Sequence, residues 1–211
     1  MNQISEKKQP GLLGLVSWMK QIITFIAVFS FFIFYGQGGP GSVVLPGNFT
    51  CDNEYINVMG CDGDTTITYN GYTYGLVEIG GQCWLKENLR TTKYSDSTPI
   101  NFPDTIHIQW EYDTSGAYGW YDNDSSAYSQ YGAYYNWHAV DNSAGLCPTG
   151  WHVPTDCEWM YMEGAIGMSI TDQESKGYRG TDEGGKLKDT SLWAVPNTGA
   201  TNSSGFTALP G

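Results

Sequence analysis

Residues 65–85 read Thr65-Thr66-Ile67-Thr68-Tyr69-Asn70-Gly71-Tyr72-Thr73-Tyr74-Gly75-Leu76-Val77-Glu78-Ile79-Gly80-Gly81-Gln82-Cys83-Trp84-Leu85. The first five residues are β-branched or aromatic and alternate, which is the period of a strand. Asn70-Gly71 is the strongest short hairpin signal, because both central residues of the tight turn need positive φ. Tyr72 to Ile79 then returns as a second strand. It places Tyr72, Tyr74, Leu76 and Glu78 on one face and Thr73, Gly75, Val77 and Ile79 on the other. Gly80-Gly81 turns the chain into a third strand, Gln82 to Leu85.

Helical signals lie downstream. Tyr131, Tyr134, Tyr135 and His138 have i, i+3, i+4, i+7 spacing, so residues 131–140 are expected to form a short aromatic helix. Gly150-Trp151-His152-Val153 reads as a short strand leading to a helix start. There Thr155 is the N-cap and Glu158, at the third helical position, closes a capping box. Pro154 keeps the chain extended up to the cap. Trp159, Met162 and Ile166 form the apolar face, and the helix should fail at Gly164 to Gly167. Beyond Gly184-Gly185, Lys186-Leu187-Lys188 is at most one turn. No fixed-period repeat is present.

Upstream, Lys7 and Lys8 precede an apolar stretch that starts at Gly11 and is broken by Lys20 and Gln21. Ile22 to Tyr35 is then apolar apart from the hydroxyls of Thr24, Ser30 and Tyr35. This is a signal-peptide pattern, with cleavage placed after Gly38. The alternative is a retained anchor, since Gly11 to Tyr35 is long enough to span a bilayer core of ~30 Å. Asn48-Phe49-Thr50 before Cys51 is not a lipidation box. Gly36 to Gly47 is Gly/Pro-rich and reads as a flexible linker. The expected organisation is a leader or anchor over residues 1–38, a linker and lead-in over 39–60, and a domain over 61–211.

Composition agrees with export. Only 15% of the 211 residues are charged, and 27 Gly, 15 Tyr and 8 Trp supply an aromatic, loop-rich chain. The net charge of −12 argues against nucleic acid and against docking on anionic lipid. Membrane contact is expected only through the N-terminal segment, and the location is secreted or cell-surface. The five cysteines are Cys51, Cys61, Cys83, Cys147 and Cys157, with no C-x-x-C. His107, His138 and His152 are never three or four residues from each other or from a cysteine, so a structural zinc site is not supported.

Five ordered segments carry a family resemblance. Val77-Glu78-Ile79-Gly80-Gly81-Gln82-Cys83-Trp84-Leu85-Lys86-Glu87-Asn88-Leu89-Arg90 resembles the opening IGxQxWMAENL of the Fibrobacter succinogenes major paralogous domain. Tyr131-Gly132-Ala133-Tyr134-Tyr135-Asn136-Trp137 resembles its YGxLYNW segment. Leu146 to Trp159 resembles CPxGWHVPTDxEW. Gly184-Gly185-Lys186-Leu187-Lys188 and Gly205 to Gly211 resemble two later signatures. The resemblance implies a bacterial, exported, often surface-located domain without an assigned biochemical function. It also implies an α+β, short-stranded, loop-rich fold similar to C-type-lectin-like and sulfatase-modifying-factor-like (formylglycine-generating) domains. The family pattern continues past GFTALPG to a late cysteine, so the resemblance implies a domain incomplete at the C-terminus, with Cys147 lacking that partner. Among the remaining cysteines Cys61–Cys83 ranks first, with Cys51–Cys61 as the rival, and Cys147 and Cys157 are expected unpaired. Cys157 is expected to be a small buried residue rather than a nucleophile.

The functional reading is non-catalytic. Formylglycine-generating enzymes use a close cysteine pair in a late segment, which this sequence lacks, and no G-x-S-x-G is present. Glu158 has a capping role, and Glu87 is expected to bond backbone nearby. Exposed Tyr and Trp suit stacking on sugar faces, and the loop aromatics Trp110, Tyr112, Tyr118, Trp120 and Tyr121 are the candidates. Trp84, Trp137, Trp151 and Trp159 are assigned to the core. Asp122-Asn123-Asp124 is the best place for a hard cation such as Ca²⁺, although Asx turns are the commoner use of such a run. No other cofactor is expected. The leading class is a binding or adhesion module for a glycan or cell-envelope polymer. A structural envelope component without a ligand is the alternative.

Overall fold

The computed structural model describes residues 33–34, 56, 58–103 and 114–210, with only the backbone at 33–34. The hairpin forms as its residues dictate. β2 (Thr66–Tyr69) pairs antiparallel with β3 (Tyr72–Ile79), with Tyr69 opposite Tyr72. Asn70 (φ 48°) and Gly71 (φ 83°) both sit in the left-handed region that the two-residue turn requires. A second Gly-Gly turn leads to β4 (Gln82–Leu85), where Glu78 faces Cys83. At that turn Gly80 has φ 62°, and an added Cβ would lie 2.6 Å from the Ala165 methyl. Only glycine suits both conditions at this position.

β1 (Ile33–Phe34) lies on the far side of β4 and pairs antiparallel with it. β7 (Trp151–His152) pairs with β1, giving the strand order β2-β3-β4-β1-β7. β1 therefore falls within the segment 1–38 read above as leader or anchor. The proposed linker, the lead-in up to Tyr55 and Cys51 lie outside the described residues. Among the described residues no helix is long and apolar enough to cross a membrane.

The alternation read from Tyr72 to Ile79 separates two apolar clusters, one on each face of the sheet. Tyr74, Cys83 and Leu85 face a cluster with Leu89, Tyr94, Tyr135, Leu146 and Trp151, against which Tyr72 and Leu76 also pack. Ile79 and Trp84 face the other with Met162 and Phe206, joined by Val77 and Trp159. The second cluster is covered by helix α3 (Asp156–Ala165). Its ends follow the sequence: Thr155 Oγ1 accepts from the Glu158 N–H, Glu158 returns a bond to the Thr155 N–H, and Ile166 is the C-cap. Trp84, Trp159 and Phe206 meet as an aromatic trio with ring centroids 5.0 to 5.8 Å apart. Each ring comes from a different one of the five sequence segments quoted above.

The remaining helices are short: α1 (Ser125–Tyr128), α2 (Trp137–Val140), α4 (Ile170–Gln173) and α5 (Glu183–Leu187). The aromatic helix expected over 131–140 is not formed as one element. Gly132 adopts φ 85°, Tyr134–Tyr135 form strand β6, and helix begins only at Trp137. The 3.6-residue spacing of Tyr131, Tyr134 and Tyr135 is overridden by pairing of β6 with β5 (Tyr118–Gly119). Small sheets with few helices make the fold α+β.

Cys61 and Cys83 form the expected disulfide, with Cα atoms 4.8 Å apart. The residues before β2 bring them together. The Cys83 N–H donates to the Met59 carbonyl (2.9 Å), and the Cys61 N–H donates to Glu78 Oε2 (3.0 Å). Cys147 is a free thiol. Cys157, expected unpaired, is instead disulfide-bonded, and not to Cys61, Cys83 or Cys147. That expectation rested only on the separation of Cys147 and Cys157, which does not exclude a partner elsewhere.

Candidate functional site

The aromatic segment is held to the sheet by the residues that follow β4. Asn88 Nδ2 donates to the Tyr131 carbonyl (2.8 Å), the Ala133 N–H donates to the Leu89 carbonyl (2.8 Å), and Tyr135 Oη donates to the Thr91 carbonyl (2.7 Å). An added Cβ at Gly132 would lie 2.3 Å from Asn88 Cβ, so glycine is required at this approach. Tyr135 is fully buried and burial pushes its phenol well above the usual range. The ribbon of β5 and β6 stands on this base.

Asn136 fixes the end of the ribbon. Its Oδ1 accepts from the Ala117 and Ala139 N–H groups, each at 2.9 Å, and its Nδ2 donates to the Ser115 carbonyl at 2.8 Å. One side chain thus caps α2 and ties it to the Ser115–Ala117 segment that leads into β5. Trp137 follows immediately and is 56% exposed. It was assigned to the core, and the structure corrects that: the cap turns the chain outward, so the ring sits on the solvent side of α2's first turn.

The candidates named from sequence divide. Tyr118 and Trp120 pack edge to face with centroids 6.1 Å apart and lean on the larger cluster, and Phe102 stacks on Tyr118 at 5.3 Å. Tyr121 is 50% exposed and packs on Tyr128 at 4.9 Å, which lies 6.3 Å from Tyr131. The antiparallel register places Tyr121 toward one end of the ribbon and Trp137 toward the other. Trp110 and Tyr112 lie outside the described residues.

Asp122 and Asn123 are exposed, with φ of 51° and 54°. Asp124 caps α1, its Oδ1 accepting from the Ser126 N–H (2.8 Å), the Ser126 hydroxyl (2.6 Å) and the Ala127 N–H (3.1 Å). Hydrogen bonds from Ser126 and Ala127 hold its carboxyl below the usual carboxylate range. Among the described residues no three His, Cys, Asp or Glu side chains gather as a metal-binding group.

The segment Gly150–Trp159 is spent on structure. Glu158 is 4% exposed, and besides its cap bond its carboxylate meets His152 Nε2 at 2.8 and 3.0 Å, joining β7 to α3. Glu87 Oε2 accepts the Gly75 N–H (2.8 Å), the backbone role expected of it. Burial raises the Cys147 thiol far above its ordinary pKa, so at neutral pH it is protonated and a poor nucleophile. Three contacts were not anticipated: Asn136 as a cap, His152 with Glu158, and the ion pair of Arg179 with Glu163 (2.7 Å, side chains 5% and 6% exposed). Only the first had a signal in sequence, an Asn directly before a short apolar run.

A family model of the Fibrobacter succinogenes major domain matches residues 77–211. The chain belongs to the Fibrobacter succinogenes major domain family. The match begins in β3 and takes in the aromatic trio, the ribbon, α3 and the Gly205–Gly211 segment. No curated protein and no solved structure is significantly similar to the chain.

Proposed function

We propose that this Fibrobacter succinogenes major domain is a non-catalytic binding module of the bacterial cell surface, outside the cytoplasmic membrane, that takes a glycan or envelope polymer on its aromatic ribbon. The exposed indole of Trp137 carries this reading. Trp137 holds a wide, flat, amphipathic face in solvent on a hydrogen-bonded base, the presentation that stacking on a sugar ring uses. Tyr121 toward the other end of the ribbon suits a polymer contacting two separated rings better than a single sugar. Tyr and Trp present wide flat faces with few rotatable bonds, so little side-chain entropy is lost on stacking. The Cys61–Cys83 disulfide agrees with an oxidising compartment. A C-type-lectin-like frame suits the same role, although the calcium motifs EPN and WND are absent from the sequence and Val195-Pro196-Asn197 lacks the glutamate.

Binding to a glycan array and to insoluble cell-wall polysaccharide tests the proposal. Trp137→Ala with Tyr121→Ala should weaken retention at least tenfold while leaving the urea midpoint unchanged. Undiminished binding by the double variant refutes the site, and absence of binding by the parent chain leaves the ligand-free structural role in its place. The module needs no resident cofactor in this reading. Calorimetry with Ca²⁺ should give no heat with the parent chain, whereas heat lost in Asp122→Ala/Asp124→Ala would establish a cation loop.

A further inference from the structure

β7 joins the main sheet only through β1. Ile33 stands opposite Trp84 on one side and His152 on the other, and Phe34 stands opposite Trp151, antiparallel in both directions. Neighbouring strands lie ~4.8 Å apart, so β4 and β7 flank a lane about 10 Å wide and cannot bond each other directly. Its walls carry Trp84, fully buried, and Trp151, 7% exposed. Without an occupant, both walls would present open strand edges in the middle of the sheet rather than at its rim.

We propose that the lane between β4 and β7 is a strand-acceptor site for a short apolar extended segment, and that its occupant is this chain's own Ile33–Phe34, retained in the folded protein. Recognition follows strand addition, in which main-chain bonds to both walls supply affinity and the apolar sequence supplies selection. Ile33–Phe34 lies within the apolar run Ile22 to Tyr35, the composition such a lane selects. The connection over residues 35–57 includes Gly36-Gln37-Gly38-Gly39-Pro40-Gly41. By sequence its Gly/Pro-rich part reads as a linker. The stretch that reads as a leader core thus has a second use, and removal of residues 1–38 would take away the strand that joins β7 to the sheet.

The test uses the full chain. Ile33→Pro removes the N–H donor at the position flanked by both walls. Hydrogen exchange at residues 82–85 and 151–152 should accelerate at least tenfold, while the 66–79 hairpin keeps its protection. A synthetic peptide of residues 29–38 added in trans should restore the protection, and the same peptide with Ile33→Pro should not. Unchanged exchange in the variant overturns the proposal. If the variant loses its near-UV signal altogether, recovery on adding the parent peptide supports the lane and failure to recover overturns it. Mass spectrometry of the cell-derived protein should find residues 33–34 still attached. A processed N-terminus beyond Phe34, or a strand-exchanged dimer of the full chain, would show that the lane's occupant is another segment or another copy.

Discussion

Glu158→Ala should cost about twice as much stability as Thr155→Ala, although the two residues share one cap. Thr155→Ala removes a single hydroxyl acceptor at the helix start, worth about 1 kcal/mol. Glu158 does three things from a nearly buried position. It returns the cap bond to the Thr155 N–H at 2.7 Å, meets His152 Nε2 with both oxygens, and fills space between β7 and α3. The cap arm runs from the buried carboxylate to Thr155, which is exposed and whose N–H water can reach, so it contributes about 0.5 kcal/mol. The His152 contact is partly exposed, with 30% of the imidazole accessible, and contributes about 1 kcal/mol. With the lost packing the total is about 2 kcal/mol. At an m-value of about 2 kcal/mol/M, the urea midpoint should fall by roughly 1 M for Glu158→Ala and by roughly 0.5 M for Thr155→Ala. Glu158→Gln should lie between them, because the amide keeps one acceptor oxygen for the Thr155 N–H but loses the charge and one of the two oxygens that meet His152. Urea unfolding followed by tryptophan fluorescence measures all three. Equal midpoints for Glu158→Ala and Thr155→Ala would refute a joining role for this carboxylate.

Removing the Cys61–Cys83 bridge as Cys61→Ser/Cys83→Ser opens a loop of sequence separation 22. It should lower stability by about 3 kcal/mol in the same assay, and an unchanged midpoint would contradict this. Arg179→Met should cost about 3 kcal/mol by leaving the Glu163 carboxylate without its buried cation, and Arg179→Lys should recover little, because Arg179 also donates to the Gln173 carbonyl at 2.6 Å. Stability should also fall in alkali. Burial pushes Tyr69 and Tyr74 up to about 12 and raises Tyr135 and Cys147 further, so the unfolded chain releases these protons first. The contribution is complete below pH ~8, where the unfolded thiol and phenols are still protonated, and declines as pH rises toward 12, first through Cys147 and then through the tyrosines. Urea midpoints at pH 7, 9 and 10.5 should fall progressively, and a level series to pH 11 would refute it. Cys147 should react slowly with maleimide in the native protein and fast in urea, and fast native labelling would show that the thiol is not sealed.

The hairpin and the capped helix were legible because their signals are local. Asn70-Gly71 dictates a turn whatever surrounds it, and Thr155 with Glu158 closes a cap within four residues. The alternation from Tyr72 to Ile79 was equally readable, and it foretold two faces without saying that both would be buried. What sequence hid depends on distant partners. Tyr134 and Tyr135 have helical spacing, yet strand pairing with Tyr118 and Gly119 decides their conformation. Ile33 and Phe34 look like part of a leader, and only the register against Trp84 and Trp151 reveals a strand. For the candidate site, Tyr121 is visible in the sequence as a loop aromatic, whereas Trp137 reads as core from its place in a motif, and such a place carries no information on burial. Arg179 and Glu163 are sixteen residues apart, with no pattern to connect them.

Asn136 has a further consequence for whatever meets Trp137. Its amide has a donor on one side and an acceptor on the other, and its three bonds use both, so the orientation of that amide is determined by its neighbours. The backbone entering Trp137 is therefore ordered before any ligand arrives. Docking on the indole then requires freezing of the ring's two torsions and little else, which favours a fast, rigid-body encounter over one that waits on loop closure. Asn136→Asp would keep the acceptor and lose the donor to Ser115. It would loosen the hinge beneath the ring without touching the ring itself, so a slower or more temperature-sensitive association would separate the seat from the surface it carries.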